Sequence, residues 1–419
     1  MIFNKQVNQI FFIYLSIIAI LFAITKYLGM DTEHLLLMDD GYYGLAKSFV
    51  QGDSLLHKFR GPALPLIYAP MFLFPKALHP YLRLVLTSFI VYLILFFLKK
   101  ITKDMLTDRQ FLWGCMPVIV NPIWIHWTFK TSLEIYLCLL LIIFTYFQIE
   151  YFKTSKIKYF LISLIPFIIS FFFKPVFIFI PVFIMIYSLV YFRNKNFIFT
   201  SIIAIIIGLT SYVIQDKITK YEYNDKALTT YERRAHYIHK SFLIQDSFWT
   251  DYVLKTGQFH KWSVIPYREK YRNGKGFYEY YQDWLKTFFN QYPNANMFFL
   301  NYYFFKNNPG LVIKKLLVSP IFFLGMSARP LESYVKLIFN IFILGLSFIG
   351  LKKLFTLVSK KQQLSIILII YIVLAYSTLH FLTHSINRYF LPVMPLTIIW
   401  SGYIIDKIMN RLYFFHYFT

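Results

Sequence analysis

Charged residues are scarce in this chain, and their scarcity excludes an ordinary soluble domain. Of the 419 residues, 15% are charged, whereas 58% are apolar and 21% are aromatic. A soluble globular domain usually carries about 25% charged residues. Several apolar segments approach the roughly 20 helical residues that cross a bilayer core, and backbone groups in lipid must be paired within such a segment. The composition therefore predicts an all-α polytopic membrane protein.

Cysteine motifs and internal repeats are also missing. The two cysteines, Cys115 and Cys138, lie in apolar segments without neighbours that complete a metal or redox motif, so both are expected to be packing residues. A transporter would favour internal repeats, broken helices and polar residues near the bilayer midplane. Because the sequence has no evident repeat and few charges within spans, a transporter or flippase is the alternative to an enzyme, not the preferred hypothesis.

Acidic residues are few, and the excess of basic ones restricts the partners. The chain has 20 Asp and Glu against 43 Lys and Arg, a formal net charge of +23. The Lys and Arg lie largely between apolar runs, where they meet anionic lipid head groups or an anionic substrate. Membrane lipids are therefore predicted partners, and nucleic acid is not.

The basic clusters also predict the orientation of the chain. Cytoplasmic loops carry an excess of Lys and Arg, and Lys5 precedes the first apolar run whereas acidic residues follow it. About ten spans with both termini inside are expected. The stretch 311–328, which contains two lysines and a proline, is predicted to be interfacial or re-entrant. The predicted spans are 10–24, 82–98, 111–124, 135–148, 159–173, 175–191, 197–214, 335–350, 364–379 and 391–408.

Three sections follow from this pattern. Residues 1–214 form an N-terminal transmembrane module whose first outer loop, 29–81, is the candidate catalytic loop. Residues 215–333 form a polar, Tyr-rich segment on the outer face, where short interfacial helices are expected. Residues 334–419 hold the C-terminal transmembrane helices.

The first outer loop begins with paired carboxylates, Asp39 and Asp40, directly after the first apolar run. Acidic groups at the mouth of a spanning helix are costly unless they are used, so this loop is predicted to be a catalytic platform. Asp is also a favoured helix N-cap, and capping of the next helix is the alternative. That helix is expected over 40–51 and is closed by Gly52. Its predicted apolar stripe is Leu45, Ala46, Phe49 and Val50.

The later outward turns carry polar groups close to the membrane surface. Arg and Lys bind phosphate oxygens, a carboxylate can act as general base, and a divalent cation can stabilise a phosphate leaving group. A site for a membrane-embedded anionic lipid is therefore the hypothesis. Each residue has a structural alternative: Glu134 pairs with Lys130 at i,i+4, Lys174 snorkels to the interface, and Arg388 anchors the last span.

The motif D-D-G-Y-Y-G-L-A-K-S-F-V-Q-G at 39–52 resembles a signature of the GT-C superfamily of integral-membrane glycosyltransferases, which includes protein O-mannosyltransferases and the lipid A aminoarabinose transferase. In that signature Asp-Glu is followed by Tyr, Ala and Gly, and Asp40 stands here in place of Glu. Weaker similarities follow in the same order along the chain. They are R-G-P-A-L-P-L at 60–66, T-S-L-E at 131–134, F-K-P at 173–175 and N-R-Y-F-L-P-V-M-P at 387–395.

The resemblance implies a GT-C-like bundle that transfers a sugar from a polyprenyl-phosphate-linked donor, with inversion at the sugar. The acceptor is a cell-envelope glycan or lipid, and the active site is on the periplasmic or outer face of the inner membrane. Asp39 is the implied general base, and Asp40 assists it or binds a divalent cation such as Mg or Mn. An O-antigen polymerase or ligase is a further alternative.

The remaining site residues are candidates for substrate contacts. For the donor phosphate they are Lys58, Arg60, Lys174 and Arg388, of which Lys174 and Arg388 fall on matched motif positions. For other parts of the substrate they are Tyr43, Glu134 and His384.

Overall fold

The structure is a computed structural model, and it describes residues 4–29, 41–52, 61–130, 132–221, 242–256, 274, 277–293, 295, 297–325, 330–382 and 387–416. Throughout these residues the regular secondary structure is helical. Together with the long apolar helices described below, this confirms the predicted class, an α-helical polytopic membrane protein.

Helices make up most of the described residues. In chain order the first nine are α1 (Lys5–Tyr27), α2 (Tyr42–Val50), α3 (Ala63–Tyr68), α4 (His79–Thr102), α5 (Asp108–Ile119), α6 (Pro122–Phe129), α7 (Leu133–Thr154), α8 (Ile157–Phe173) and α9 (Ile180–Tyr191). The next nine are α10 (Lys195–Tyr221), α11 (Phe242–Thr256), α12 (Phe277–Gln291), α13 (Met297–Asn307), α14 (Pro309–Gly325), α15 (Pro330–Leu357), α16 (Lys360–Leu382), α17 (Met394–Ile398) and α18 (Ser401–His416). Short 3₁₀ helices cover Ala69–Leu73, Lys76–Leu78 and Asn387–Phe390.

Among the described residues, six helices are long and apolar enough to cross a membrane. They lie in α1, α4, α7, α10, α15 and α16, and each coincides with a predicted span. A seventh candidate is the pair α13 and α14, which is bent by 100° between Asn307 and Pro309, as in a broken span or a re-entrant loop. The predicted interfacial or re-entrant piece at 311–328 therefore stays one of two alternatives.

The remaining predicted spans are not single long helices. The one at 111–124 divides into α5 and α6 because Asn121 caps a new helix, accepting a hydrogen bond from the Ile123 amide at 2.9 Å, with Pro122 in its first turn. The one at 391–408 divides into α17 and α18. The helices at 159–173 and 175–191 are apolar but short, 17 and 12 residues.

The chain forms two compact units. Unit 1 contains Met1–Glu222, Phe342–Tyr376 and Leu391–Thr419, and unit 2 contains Tyr223–Ile341 and Ser377–Phe390. The long helices α15 and α16 each contribute residues to both units.

Unit 2 has an aromatic hydrophobic core of its own. Its helix α12 places Tyr281, Leu285 and Phe288 at i, i+4 and i+7, and all three are buried, as an amphipathic helix requires. Phe248 from α11 packs edge-on against Phe304 of α13, with ring centroids 5.4 Å apart. The described part of the polar, Tyr-rich stretch thus packs several of its aromatic rings together within this unit.

In unit 1, the directions of the helices define two ends. Lys26 near the end of α1 contacts Tyr81 near the start of α4, and Asn8 contacts Tyr92, so α1 and α4 are antiparallel. Tyr136 of α7 stacks on Phe173 of α8, with ring centroids 5.7 Å apart. Lys153 at the end of α7 makes an ion pair with Asp104, just after α4, so the starts of α4 and α7 lie at the same end. With the end of α8 they form one end of unit 1, called here the platform end. The other is the opposite end.

Candidate functional site

A platform of short helices covers the platform end of unit 1. It consists of residues 41–52 and 61–78, which hold α2, α3 and the two 3₁₀ helices before α4. The backbone of Gly61 lies against the carbonyl oxygens of Phe172 and Phe173 at the end of α8, so closely that a side chain there would overlap them. Gly61 thereby lies against the backbone that directly precedes Lys174.

The helix α2 follows the predicted one closely. It spans Tyr42–Val50, and Gly52 follows it in the left-handed conformation (φ 97°) and donates a hydrogen bond to the Phe49 carbonyl, which confirms that Gly52 closes it. Tyr42 and Ala46 are its buried residues, whereas Val50 is 50% exposed. The predicted apolar stripe concerns contact with the membrane interface, so it stays a prediction.

The N-cap position of α2 bears on the alternative role of the acid pair. Gly41, with φ 87°, occupies that position and has no side chain to accept a hydrogen bond. The nearest carboxylates in the sequence stand one and two residues earlier. The helix boundary therefore places a glycine, and not a carboxylate, at the N-cap position.

Tyr43 is part of a hydrogen-bonded chain that ties α2 to α4. Its hydroxyl lies 2.7 Å from Nδ1 of His79, and Nε2 of His79 lies 2.9 Å from the carbonyl oxygen of Phe74. Because a carbonyl can only accept, the neutral imidazole carries its hydrogen on Nε2, and Nδ1 accepts from Tyr43. The ring of Phe72 packs against both Tyr43 and His79, at 5.1 and 5.0 Å between centroids. His79 is 3% exposed.

Arg83, one turn further along α4, is a residue that the sequence analysis missed. It is fully buried, its Nη2 donates to the Tyr68 hydroxyl at 3.2 Å, and its guanidinium lies 4.6 Å from the centroid of the Tyr68 ring. A charged residue inside a spanning helix is costly and is usually functional. The available signal was a lone arginine just inside the start of the predicted span 82–98.

Glu134 and Lys174 each lie at the platform end of unit 1. Glu134 is in the first turn of α7 and is 2% exposed, and Lys174 follows the last residue of α8 in extended conformation. Lys130 is outside α7, because α6 ends at Phe129, and its ammonium lies 5.7 Å from the centre of the Trp127 ring. The i,i+4 spacing on one helix was therefore wrong, since Lys130 and Glu134 belong to separate elements. A pair between the two side chains stays a prediction.

Arg388 belongs to unit 2 and has an aromatic environment. It lies in the 3₁₀ helix before α17, with its guanidinium 5.2 Å from the centroid of the Tyr389 ring and Nη2 3.3 Å from the Tyr389 hydroxyl. Tyr389 in turn stacks on His380, with centroids 4.3 Å apart. Lys174 is in unit 1, so the prediction that Lys174 and Arg388 both bind the donor phosphate stays a prediction.

The other predicted site residues lie outside the described residues. They are Asp39, Asp40, Lys58, Arg60 and His384. Within the described part of the chain, no three His, Cys, Asp or Glu side chains are grouped so that they could hold a metal ion. The predicted cation ligand, Asp40, is not in that part, so the metal hypothesis stays untested.

Chemically, the described part of the platform end offers cations, a buried carboxyl group and a hydrogen-bonded tyrosine. Lys174 can bind a phosphate oxygen, as lysine ammonium groups commonly do. Arg83 and His79 are buried beneath the platform and contact it from α4.

The comparisons with known proteins add no relative to this description. A scan against known protein families found no family that matches the chain, and a search of curated proteins found none similar to it.

Proposed function

We propose that this protein is a membrane glycosyltransferase that takes its sugar from a polyprenyl-phosphate-linked donor. The acceptor is a glycan or lipid of the cell envelope, and the reaction takes place at the platform end of unit 1, on the outer face of the inner membrane. The proposal combines the motif resemblance at 39–52 with the geometry around α2, α4 and α8.

One observation carries the proposal. Gly61, which begins the second part of the platform, lies against the last carbonyls of α8, next to Lys174. The platform, which follows the predicted catalytic pair, thus packs on the helix end that precedes a predicted phosphate-binding residue. The motif positions 39–52 and 173–175 are more than a hundred residues apart in the sequence. A shared active site requires that the segments next to these two motifs meet at one end of unit 1.

The proposed reaction is a single displacement at the anomeric carbon of the donor sugar. Asp39 takes the proton of the acceptor hydroxyl, whose oxygen forms the new glycosidic bond while the bond from the anomeric carbon to the phosphate oxygen breaks. Attack from the face opposite the phosphate inverts the configuration. Lys174 and Arg388, with Lys58 and Arg60, stabilise the charge of the polyprenyl phosphate that leaves.

The test is an in vitro transfer assay with purified protein in vesicles. The donors are labelled polyprenyl-phosphate-linked hexoses and pentoses, and the acceptors are cell-envelope glycan and lipid fractions. We expect D39N to lower transfer by about 10²–10⁴-fold, the usual contribution of a general base, while the variant still inserts in the membrane. D31N, the same change in the same loop, is the matched control and should keep wild-type activity.

Three outcomes decide between the parts of this proposal. Full activity of D39N would remove Asp39 as the base. Loss of transfer on chelation, restored by Mg or Mn, would support a cation at Asp40. No transfer from any donor by the wild-type protein would remove the glycosyltransferase proposal itself.

A transporter or flippase of lipid-linked saccharide is the second candidate, and specific observations favour it. Transporters use discontinuous helices and polar residues within spans, and the chain breaks between α5 and α6 and bends by 100° between α13 and α14. Arg83 and Thr87 are buried one turn apart in the spanning helix α4. Translocation of a labelled lipid-linked saccharide across vesicles, without covalent transfer, would support this candidate.

A further inference from the structure

We infer that the first two turns of α4 hold the platform in position through two separate contacts, Tyr43 with His79 and Tyr68 with Arg83. This inference rests on the proposed function in one respect: the platform matters because the reaction takes place beside it. His79 and Arg83 are then positioning residues, since they contact the platform and are buried beneath it.

The first contact fixes α2. The hydroxyl of Tyr43 donates to Nδ1 of His79 at 2.7 Å, and the Nε2 of the same ring lies 2.9 Å from the Phe74 carbonyl. A single imidazole is thereby bonded to both ends of the platform, its first helix and its last loop. Tyr43 stands at the second position of α2, three residues after Asp40 in the sequence. A shift of Tyr43 therefore shifts the segment on which the proposed base depends.

The second contact fixes α3. Tyr68 is the last residue of α3 and is fully buried, and its ring lies under the guanidinium of Arg83 while its hydroxyl accepts from Nη2. A cation over an aromatic face in a desolvated place is worth about 2 kcal/mol. Burial of the Arg83 guanidinium is costly, and the contact with Tyr68 offsets part of that cost. An apolar residue at this position would not make the contact.

The helix α4 is suited to serve as the base for both contacts. It is continuous over 24 residues, and His79 and Arg83 are four residues apart and so share one face. Its far end is fastened by an ion pair, 2.6 Å between Lys99 Nζ and Asp108 Oδ1. The platform thus packs on a helix that makes side-chain contacts with other segments at both of its ends.

The experiment measures amide hydrogen exchange of residues 42–50 in detergent-solubilised full-length protein, together with transfer kinetics. Y43F removes one hydroxyl and keeps the ring contacts. H79N keeps an acceptor at the Nδ1 position and loses the bond to Phe74, whereas H79Q keeps the donor to Phe74 and loses the acceptor. The control is Y92F, the same change on α4 about 20 Å further along the helix.

We expect exchange over 42–50 to become about fivefold faster in Y43F and H79Q, the factor that one hydrogen bond of about 1 kcal/mol supplies. H79N and Y92F should stay within twofold of wild type. In the transfer assay, Y43F should lower kcat with little change in KM for the donor, because a displaced platform misplaces the base and leaves the donor site intact. R83K should retain a higher kcat than R83M, since lysine keeps a cation near the Tyr68 ring.

The outcomes separate this inference from the proposed function. Unchanged exchange in both Y43F and H79Q would overturn the inference, whatever the activity. Equal loss of kcat in R83K and R83M, with wild-type exchange in both, would overturn the role of Arg83. A wild-type protein that transfers no sugar but shows the expected exchange pattern would overturn the proposed function while the positioning contacts stand.

Discussion

The two ends of α4 give their buried basic residues different partners. At the platform end, Arg83 is fully buried and its described contacts are with the aromatic Tyr68. At the opposite end, Lys99 is 8% exposed, and its ammonium makes an ion pair of 2.6 Å with Asp108, whose side chain is 62% exposed. A cation paired with a carboxylate that reaches water is an ordinary feature of a cytoplasmic helix end, whereas a cation buried against an aromatic ring is costly. The comparison therefore points to the platform end as the functional one.

Several ion pairs, each with one partly exposed partner, stabilise the opposite end. Lys153 contacts Asp104 at 3.1 Å, and Arg109 contacts Asp406 at 2.8 Å, each with one partner well exposed. Thr107 and Gln110 form a capping box that starts α5. Individual exposed pairs contribute at most about 1 kcal/mol, so this end gains its stability from many weak contacts and the close packing of its helices.

The largest effect is expected from adding a methyl group where backbones touch. Gly402 of α18 lies against the Gln110 carbonyl and Gly114 at the opposite end, and Gly61 lies against the carbonyls of α8 at the platform end. G402A and G61A should each lower stability by about 3 kcal/mol, the upper range for overpacking. Thermal unfolding in detergent checks this, and G61A should also lose transfer out of proportion to its stability.

G44A is the matched control for these two variants. A Cβ at Gly44 in α2 meets nothing within 4 Å, and alanine in a helix interior is favoured over glycine by roughly 0.5–1 kcal/mol. A melting temperature at or above that of wild type is therefore expected. If G61A behaved like G44A, the close contact between the platform and α8 would be wrong.

A smaller effect is expected from Y68F at the platform end. The substitution keeps the ring under Arg83 and removes the hydroxyl that accepts from it, which costs about 1.5 kcal/mol for a hydrogen bond to a charged group. The loss should not change with salt, because buried contacts are poorly screened. Unfolding measured at low and high salt checks this, and a loss that vanished in high salt would contradict the buried position of Arg83.

The smallest effect is expected at the opposite end. A double-mutant cycle with R109A and D406A should give a coupling energy below about 1 kcal/mol, because the Arg109 side chain is 48% exposed. The coupling should shrink further as salt rises. A coupling of several kcal/mol that salt leaves unchanged would remove the contrast between the two ends.

The fold was predictable where apolar runs are long and uninterrupted. The six helices long enough to span, in α1, α4, α7, α10, α15 and α16, each coincide with a predicted span because about 20 apolar residues leave few alternatives in lipid. The breaks were not predicted. The division at Asn121 depends on a cap and a proline in an otherwise apolar run, and the division between α17 and α18 accompanies the tight approach of Gly402 to α5.

The candidate site was predictable in its segments and less so in its residues. The motif at 39–52 indicated the helix after the acid pair and its closure by Gly52, since glycine is suited to a left-handed position. Neither His79 nor Arg83 was predicted. Their roles depend on contacts with Tyr43 and Tyr68 across segments, and a single sequence carries no pairing information of that kind.

The shortness of α8 and α9 has a consequence for the bilayer around the protein. Their 17 and 12 residues extend about 26 and 18 Å, less than the roughly 30 Å of hydrocarbon, and their outward side chains, such as Ile165 and Val190, are apolar. A bilayer that matches such short apolar helices has to be thinner around them. Under the proposed function, this thinning would bring the head-group plane toward the end of α8 at Lys174, where the phosphate of the polyprenyl donor is expected to bind.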